Sequence, residues 1–85
     1  MQPVNARTLA TANKLASVLK EQGKLDEAET LYRRSLKGCE AKLGADHPNT
    51  LGSVYNLATL LKEQGKLDEA ETLFRRELAG CEARL

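Results

Sequence analysis

Between Thr50 and Gln64 apolar side chains fall at Leu51, Val54, Leu57, Ala58 and Leu61, with Leu60 beside them, and mostly polar residues lie between. That i, i+3, i+4, i+7 spacing is one face of an α-helix. Pro48 stands just ahead, where a missing N–H costs nothing. Gly65 stands where a helix needs a left-handed stop. A second stripe follows at Leu67, Ala70, Leu73, Phe74, Leu78, Cys81 and Leu85. Asp68 and Glu69 occupy its first turn, near the positive end of the helix dipole. Glu71 and Arg75 then make a favourable i, i+4 pair.

The first half of the chain carries the same pattern. Leu9, Ala12, Leu15, Ala16 and Leu19 precede Gly23; Leu25, Ala28, Leu31, Tyr32, Leu36, Cys39 and Leu43 follow it. Gly44–Asn49, "GADHPN", holds the turn chemistry between the halves. The pattern predicts four helices: α1 over about 5–22, α2 over about 25–43, α3 over about 47–64 and α4 over about 67–85.

The two halves are copies. "LKEQGKLDEAETL" occurs as Leu19–Leu31 and again, letter for letter, as Leu61–Leu73, 42 positions on. At the same shift "RRSLKGCEAKL" (Arg33–Leu43) becomes "RRELAGCEARL" (Arg75–Leu85). A fixed period in this range marks a solenoid, in which each unit buries its face only by stacking on a neighbour. The expected fold is all-α: antiparallel helix-turn-helix repeats stacked as a short right-handed α-solenoid, helices A and B of each unit in the order A1-B1-A2-B2. Repeat 1 spans residues 1–43 and repeat 2 residues 44–85. The duplicated segment is a helix end, a tight Gly turn and a helix start.

Composition narrows the function classes. The formal net charge is +1, from 13 basic and 12 acidic side chains, which gives no pull toward nucleic acid or anionic membrane. Trp is absent and aromatics are scarce, so the core must come from Leu, Ala and Val. No stretch approaches a membrane span, and "MQPVNARTLA" lacks a signal pattern. A soluble, cytoplasmic protein is expected, with Cys39 and Cys81 as thiols in a reducing compartment.

"NLATLLKEQGKLDEAETLFRREL" resembles the tetratricopeptide repeat. The signature positions of that family fall on Leu57, Ala58, Leu61, Gly65, Leu67, Ala70 and Phe74, and on Leu15, Ala16, Leu19, Gly23, Leu25, Ala28 and Tyr32. The resemblance covers essentially the whole chain. The usual period is about 34 residues; here it is longer, and Glu40 and Glu82 take the place of the Pro that normally ends helix B. Helix B should therefore run about two turns longer. This is similar to the 42-residue variety of kinesin light chains, where Leu-Gly-x-Asp-His-Pro likewise precedes helix A, as Leu43–Pro48 does here. A small residue expected late in helix B is Ser35 in one copy and Glu77 in the other, which turns the second position toward solvent. HEAT and armadillo units have similar periods but lack the Gly-x-Leu-Asp-Glu-Ala turn.

Catalysis needs convergent, differently tuned groups. The chain has one His, no nucleophile–base constellation and no phosphate-cradling Gly-rich loop. No enzyme, metal site or cofactor is expected. His47 beside Pro48 suits a turn or cap. Asp26, Glu27 and Glu29 suit the dipole of a first turn. Cys39 and Cys81 read as small buried hydrophobes. Arg33, Arg34, Lys37, Arg75 and Arg76 are interleaved with glutamates, and a salt-bridged surface explains them better than a nucleic-acid stripe.

The polar side of helix A is the candidate site: Gly52, Tyr55, Asn56, Thr59, Lys62 and Glu63, with Ala10, Asn13, Lys14, Ser17, Lys20 and Glu21 in copy one. The family resemblance implies that this stripe lines a concave groove and grips extended peptide, often through an Asn amide. Asn56 matches that Asn, while copy one has Lys14. An amide both donates to and accepts from a peptide bond.

Solenoids usually need three repeats and polar terminal caps. With two repeats and no capping helix after Leu85, the chain reads as a fragment of a longer array or a designed minimal piece. Helix α4 should then offer an apolar flank at Leu73, Leu78, Cys81 and Leu85. Self-association into a homo-oligomer is expected, by end-to-end stacking or by exchange of helices. The partner is therefore a protein, a peptide or another copy of the chain. The competing readings are a ligand-free structural spacer and, behind it, a nucleic-acid binder.

Overall fold

The computed structural model describes residues 6–83. Four helices account for almost all of them: α1 Ala6–Glu21, α2 Leu25–Leu43, α3 Pro48–Glu63 and α4 Leu67–Ala83. Among the described residues there is no strand. Leu85 and its place on the apolar flank lie outside the described residues.

The boundaries follow from local chemistry. Gly23 and Gly65 adopt φ of +82°, the left-handed conformation that a helix stop requires. At the first, Gly23 N–H donates to the Lys20 carbonyl and Lys24 N–H to the Leu19 carbonyl, at 3.0 and 2.8 Å. At the second, Gly65 and Lys66 donate to Lys62 and Leu61 at 3.0 and 2.9 Å. This paired arrangement satisfies carbonyls that the helix end leaves orphaned. The duplicated thirteen residues therefore build the same turn twice. At α3 the N-cap is His47, whose Nδ1 accepts from Asn49 N–H at 3.1 Å, with Pro48 in the first turn.

Consecutive helices pack on one another, α1 on α2, α2 on α3 and α3 on α4. The long dimensions are 36 and 34 Å but the third is only 16 Å. Each helix keeps an open side, with exposed residues along it. The core gathers on α3, where Leu51, Val54, Leu57, Ala58, Leu60 and Leu61 are all buried. Ala16, Ala28, Tyr32, Leu36 and Ala70 complete it from the other helices.

The two copies do not bury the same residues. Leu57 and Leu60 of α3 are 1% and 0% exposed, whereas their α1 counterparts Leu15 and Val18 are 49% and 48% exposed. Leu36 of α2 is 8% exposed and its α4 counterpart Leu78 is 58% exposed. The cause is positional: α2 and α3 have a helix on both sides, while α1 and α4 flank the stack. Cys81 departs from the expected burial for the same reason. Its copy Cys39 is buried against Ser53 Oγ at 3.6 Å, but Cys81 is exposed.

Small residues set the close approaches. Ser35 is buried and donates to the Leu9 carbonyl at 3.4 Å. Glu77, expected to face solvent, is half-buried and accepts from Cys81 Sγ at 2.8 Å. The tight contact in repeat 2 is made by Gly80, where an added Cβ would lie 2.6 Å from Leu51 Cδ2.

Candidate functional site

Every fourth residue on one side of α3 is small or short: Pro48, Gly52 and Asn56. They form a low ridge between two grooves. On the α1 side lies a groove of about 320 Å³, reached by Ala10 and Asn13 of α1, Leu43 of α2, and Asn49 and Ser53 of α3. On the α4 side lies a groove of about 520 Å³, closed by Leu51, Tyr55, Glu77 and Cys81. A Cβ at Gly52 would meet nothing within 4 Å, so the missing side chain keeps the ridge low rather than avoiding a clash.

Asn13 and Asn56 are brought to the same groove from different repeats. Asn13 Oδ1 is buried and has no hydrogen-bond partner among the described residues. An orphaned acceptor of this kind costs about 1–3 kcal/mol, and native structures contain few of them. No charged side chain lines this groove. Its chemistry is that of amides, one hydroxyl and small apolar groups, suited to meeting a peptide backbone.

The other residues of the polar stripe are distributed more widely. Tyr55 stacks edge-on against Phe74 with ring centroids 5.8 Å apart, which fixes it to α4. Thr59 Oγ1 donates back to the Tyr55 carbonyl at 3.0 Å. Lys20 and Glu63 pair at 3.4 Å and tie the ends of α1 and α3 together. Lys62 borders a third groove, on the outer side of α4 with Phe74 and Leu78. Lys14, Ser17 and Glu21 are exposed on α1 and line neither groove beside the ridge. Asn49 and Ser53 also line this groove, although they are not among the residues expected from the sequence. Their spacing to Asn56, seven and three residues, is the signal that marks them.

Behind the grooves, the B helices are cross-linked by charge. Glu29 of α2 accepts from Lys66 Nζ at 2.9 Å and from Arg33 Nε at 2.8 Å. Arg33 reaches across to Glu69 at 2.6 Å, and Arg76 to Glu40 at 2.5 Å. Gln64 Nε2 donates to Asp26 at 3.3 Å. The Lys66 ammonium, working against partial burial and assisted by Arg33 and Gln64, lowers the Glu29 carboxyl to about 2. Arg33 is raised by Glu69 and then by Glu29. Arg33 and Arg76 of the arginine stripe thus tie α2 to α4.

No group of three or more His, Cys, Asp or Glu side chains converges among the described residues. No helix among them is long and apolar enough to cross a membrane. A family model described as Tetratricopeptide repeat matches residues 7–83. Among curated proteins none matches the chain.

Proposed function

Because the chain belongs to the tetratricopeptide-repeat family, whose repeats serve as protein–protein interaction scaffolds, we propose that it binds an extended peptide segment along the ridge of α3. The observation that carries this reading is the buried, partnerless Asn13 Oδ1 in a groove it shares with Asn56. A peptide N–H entering the groove satisfies Asn13, and the Asn56 amide both gives and takes a hydrogen bond. The uncharged lining favours a segment with small, uncharged side chains at its centre.

The division into repeats 1–43 and 44–85 and the kinesin-light-chain-like variety belong to the same proposal. They are supported by the 42-residue period and by Leu43–Pro48 ahead of α3. A second reading, self-association, is favoured by the exposure of Leu15, Val18, Leu67 and Leu78 at the two flanks of the stack. Exposed apolar clusters of this kind mark interaction surfaces.

The test is a display library of random dodecapeptides screened on the purified chain. Recovered peptides should lose at least tenfold in affinity for N13A and for N56A, both verified as folded by circular dichroism, and keep their affinity for L78A. Peptides that bind N13A and N56A as well as the parent chain would remove the groove from the account. So would a screen that yields nothing above background.

A further inference from the structure

The contacts between repeat 1 and repeat 2 can be compared with what the outer faces of the stack still carry. Three ion pairs cross that internal boundary along the B helices: Lys66 with Glu29, Glu69 with Arg33, and Arg76 with Glu40. Moved by one period of 42, the α2 partners become Glu71, Arg75 and Glu82 on α4, and all three are exposed. Moved back by one period, the partners beside and on α4 become Lys24, Glu27 and Arg34 beside and on α2, again all exposed. Every charge keeps its sign. Two further polar contacts translate equally well, while Cys39 with Ser53 becomes Cys81 with Thr11. Gln64 with Asp26 becomes Gln22 with Asp68, and Lys20 with Glu63 becomes Lys62 with Glu21.

The apolar parts match in the same way. At the internal boundary Val54, Leu57 and Leu60 of α3 are buried in one cluster with Tyr32 and Leu36 of α2. The outer equivalents are Ala12, Leu15 and Val18 on one face, and Phe74 and Leu78 on the other. Each of these is the same size as its counterpart or smaller; Thr11, in place of the buried Ser53, is one methyl larger. The first face forms a groove of about 670 Å³ rimmed by Arg7, Arg34 and Lys37. The second is a groove lined by Leu67, Phe74 and Leu78 with Lys62, Glu71 and Arg75 at its edge. The two faces are therefore matched pair by pair in the register above, not by an overall difference in charge.

We propose that the occupant of each flank is a second copy of this chain, docked head to tail so that α4 of one copy meets α1 and α2 of the next in the register of the internal repeat boundary. This rests on the self-association reading above and specifies its geometry. The contact is heterologous, so it does not close on itself and extends with concentration. Cross-copy pairs form between Glu71 and Lys24, Arg75 and Glu27, and Glu82 and Arg34. The smaller Ala12 and Val18 leave this contact less filled than the internal one, so the assembly is reversible.

The test is sedimentation equilibrium over a hundredfold concentration range for the parent chain, for K24E/E27R and for E71R/R75E. The second variant keeps an opposite-charge i, i+4 pair within α4, so folding is preserved. The parent mass should rise past that of a dimer without a plateau. Each variant alone should associate about tenfold more weakly, the effect of two inverted exposed pairs. An equimolar mixture should recover the parent behaviour, because every junction in an alternating chain of the two is charge-matched. A parent chain that stays monomeric throughout would overturn self-association itself. A parent that stops at a dimer, or variants whose mixture recovers nothing, would overturn the head-to-tail register alone.

Discussion

Thr50 is fully buried in the first turn of α3, and its hydroxyl has no partner among the described residues. A buried hydroxyl without a hydrogen bond opposes folding. Replacing it with the near-isosteric Val should therefore raise stability by about 1 kcal/mol, read as a higher urea midpoint with unchanged slope. A lower midpoint would show that the hydroxyl is engaged. Thr50 and Asn13 both hold orphaned oxygens, but only Asn13 opens onto a groove, which is why only Asn13 enters the functional proposal. Neither is visible in the sequence, because whether a polar atom is satisfied depends on neighbours from other helices. His47 is the opposite case. A residue just ahead of Pro48 at a helix start has few other places to send its side chain, and it caps Asn49 N–H. Gly80 escaped notice because a glycine inside a helical pattern reads as a weak point, whereas here it admits Leu51.

Helices α2 and α4 are near copies, yet they live in different surroundings. Apolar spacing fixes which side of a helix faces inward, and it located all four helices. It carries no information on whether another element covers that side. Hence Leu36 and Leu78 look equivalent in the sequence but only Leu36 is buried. L36A should cost about 2–5 kcal/mol of stability, whereas L78A at concentrations where the chain is monomeric should stay within about 0.5 kcal/mol of the parent. Equal losses for the two would mean that the α4 flank is covered within one chain. The same contrast separates α3 from α1. Leu57 and Leu60 sit against α2, while Leu15 and Val18 look outward. The polar stripe on helix A was legible as a stripe. Its gathering of Asn13, Asn49, Ser53 and Asn56 was not, since that depends on how α1 and α3 stand side by side.

At the scale of the whole molecule, α2 and α4 are held in register by an ion network as well as by α3 between them. Its centre is Glu29, which joins α2 to the turn before α4 through Lys66. Partners 36 or 37 residues apart are not readable from helical periodicity, whose range is one or two turns. The Glu29 carboxyl lies near 2, below the ordinary 4.5, with the Lys66 ammonium as the main cause. A carboxyl lowered by folding stabilises the fold fully above its unfolded value and loses that contribution as pH falls through the folded one. Stability should therefore drop by roughly 1–3 kcal/mol between about pH 4.5 and 2. E29Q should be less stable than the parent at neutral pH and flatter across that window. A parallel decline in the two proteins would assign the acid sensitivity to other carboxylates.

The proposed peptide site requires that a partner's backbone be read along the ridge of α3. The most direct measurement is a two-dimensional ¹⁵N–¹H spectrum of the chain, recorded while the tightest peptide from the dodecapeptide screen is titrated in. The Asn13 and Asn56 side-chain amide signals should shift together and saturate with the peptide, while the amides around Leu67 and Leu78 stay in place. Shifts confined to the α4 flank, with the two asparagine amides unmoved, would place binding on the outer face and contradict the groove.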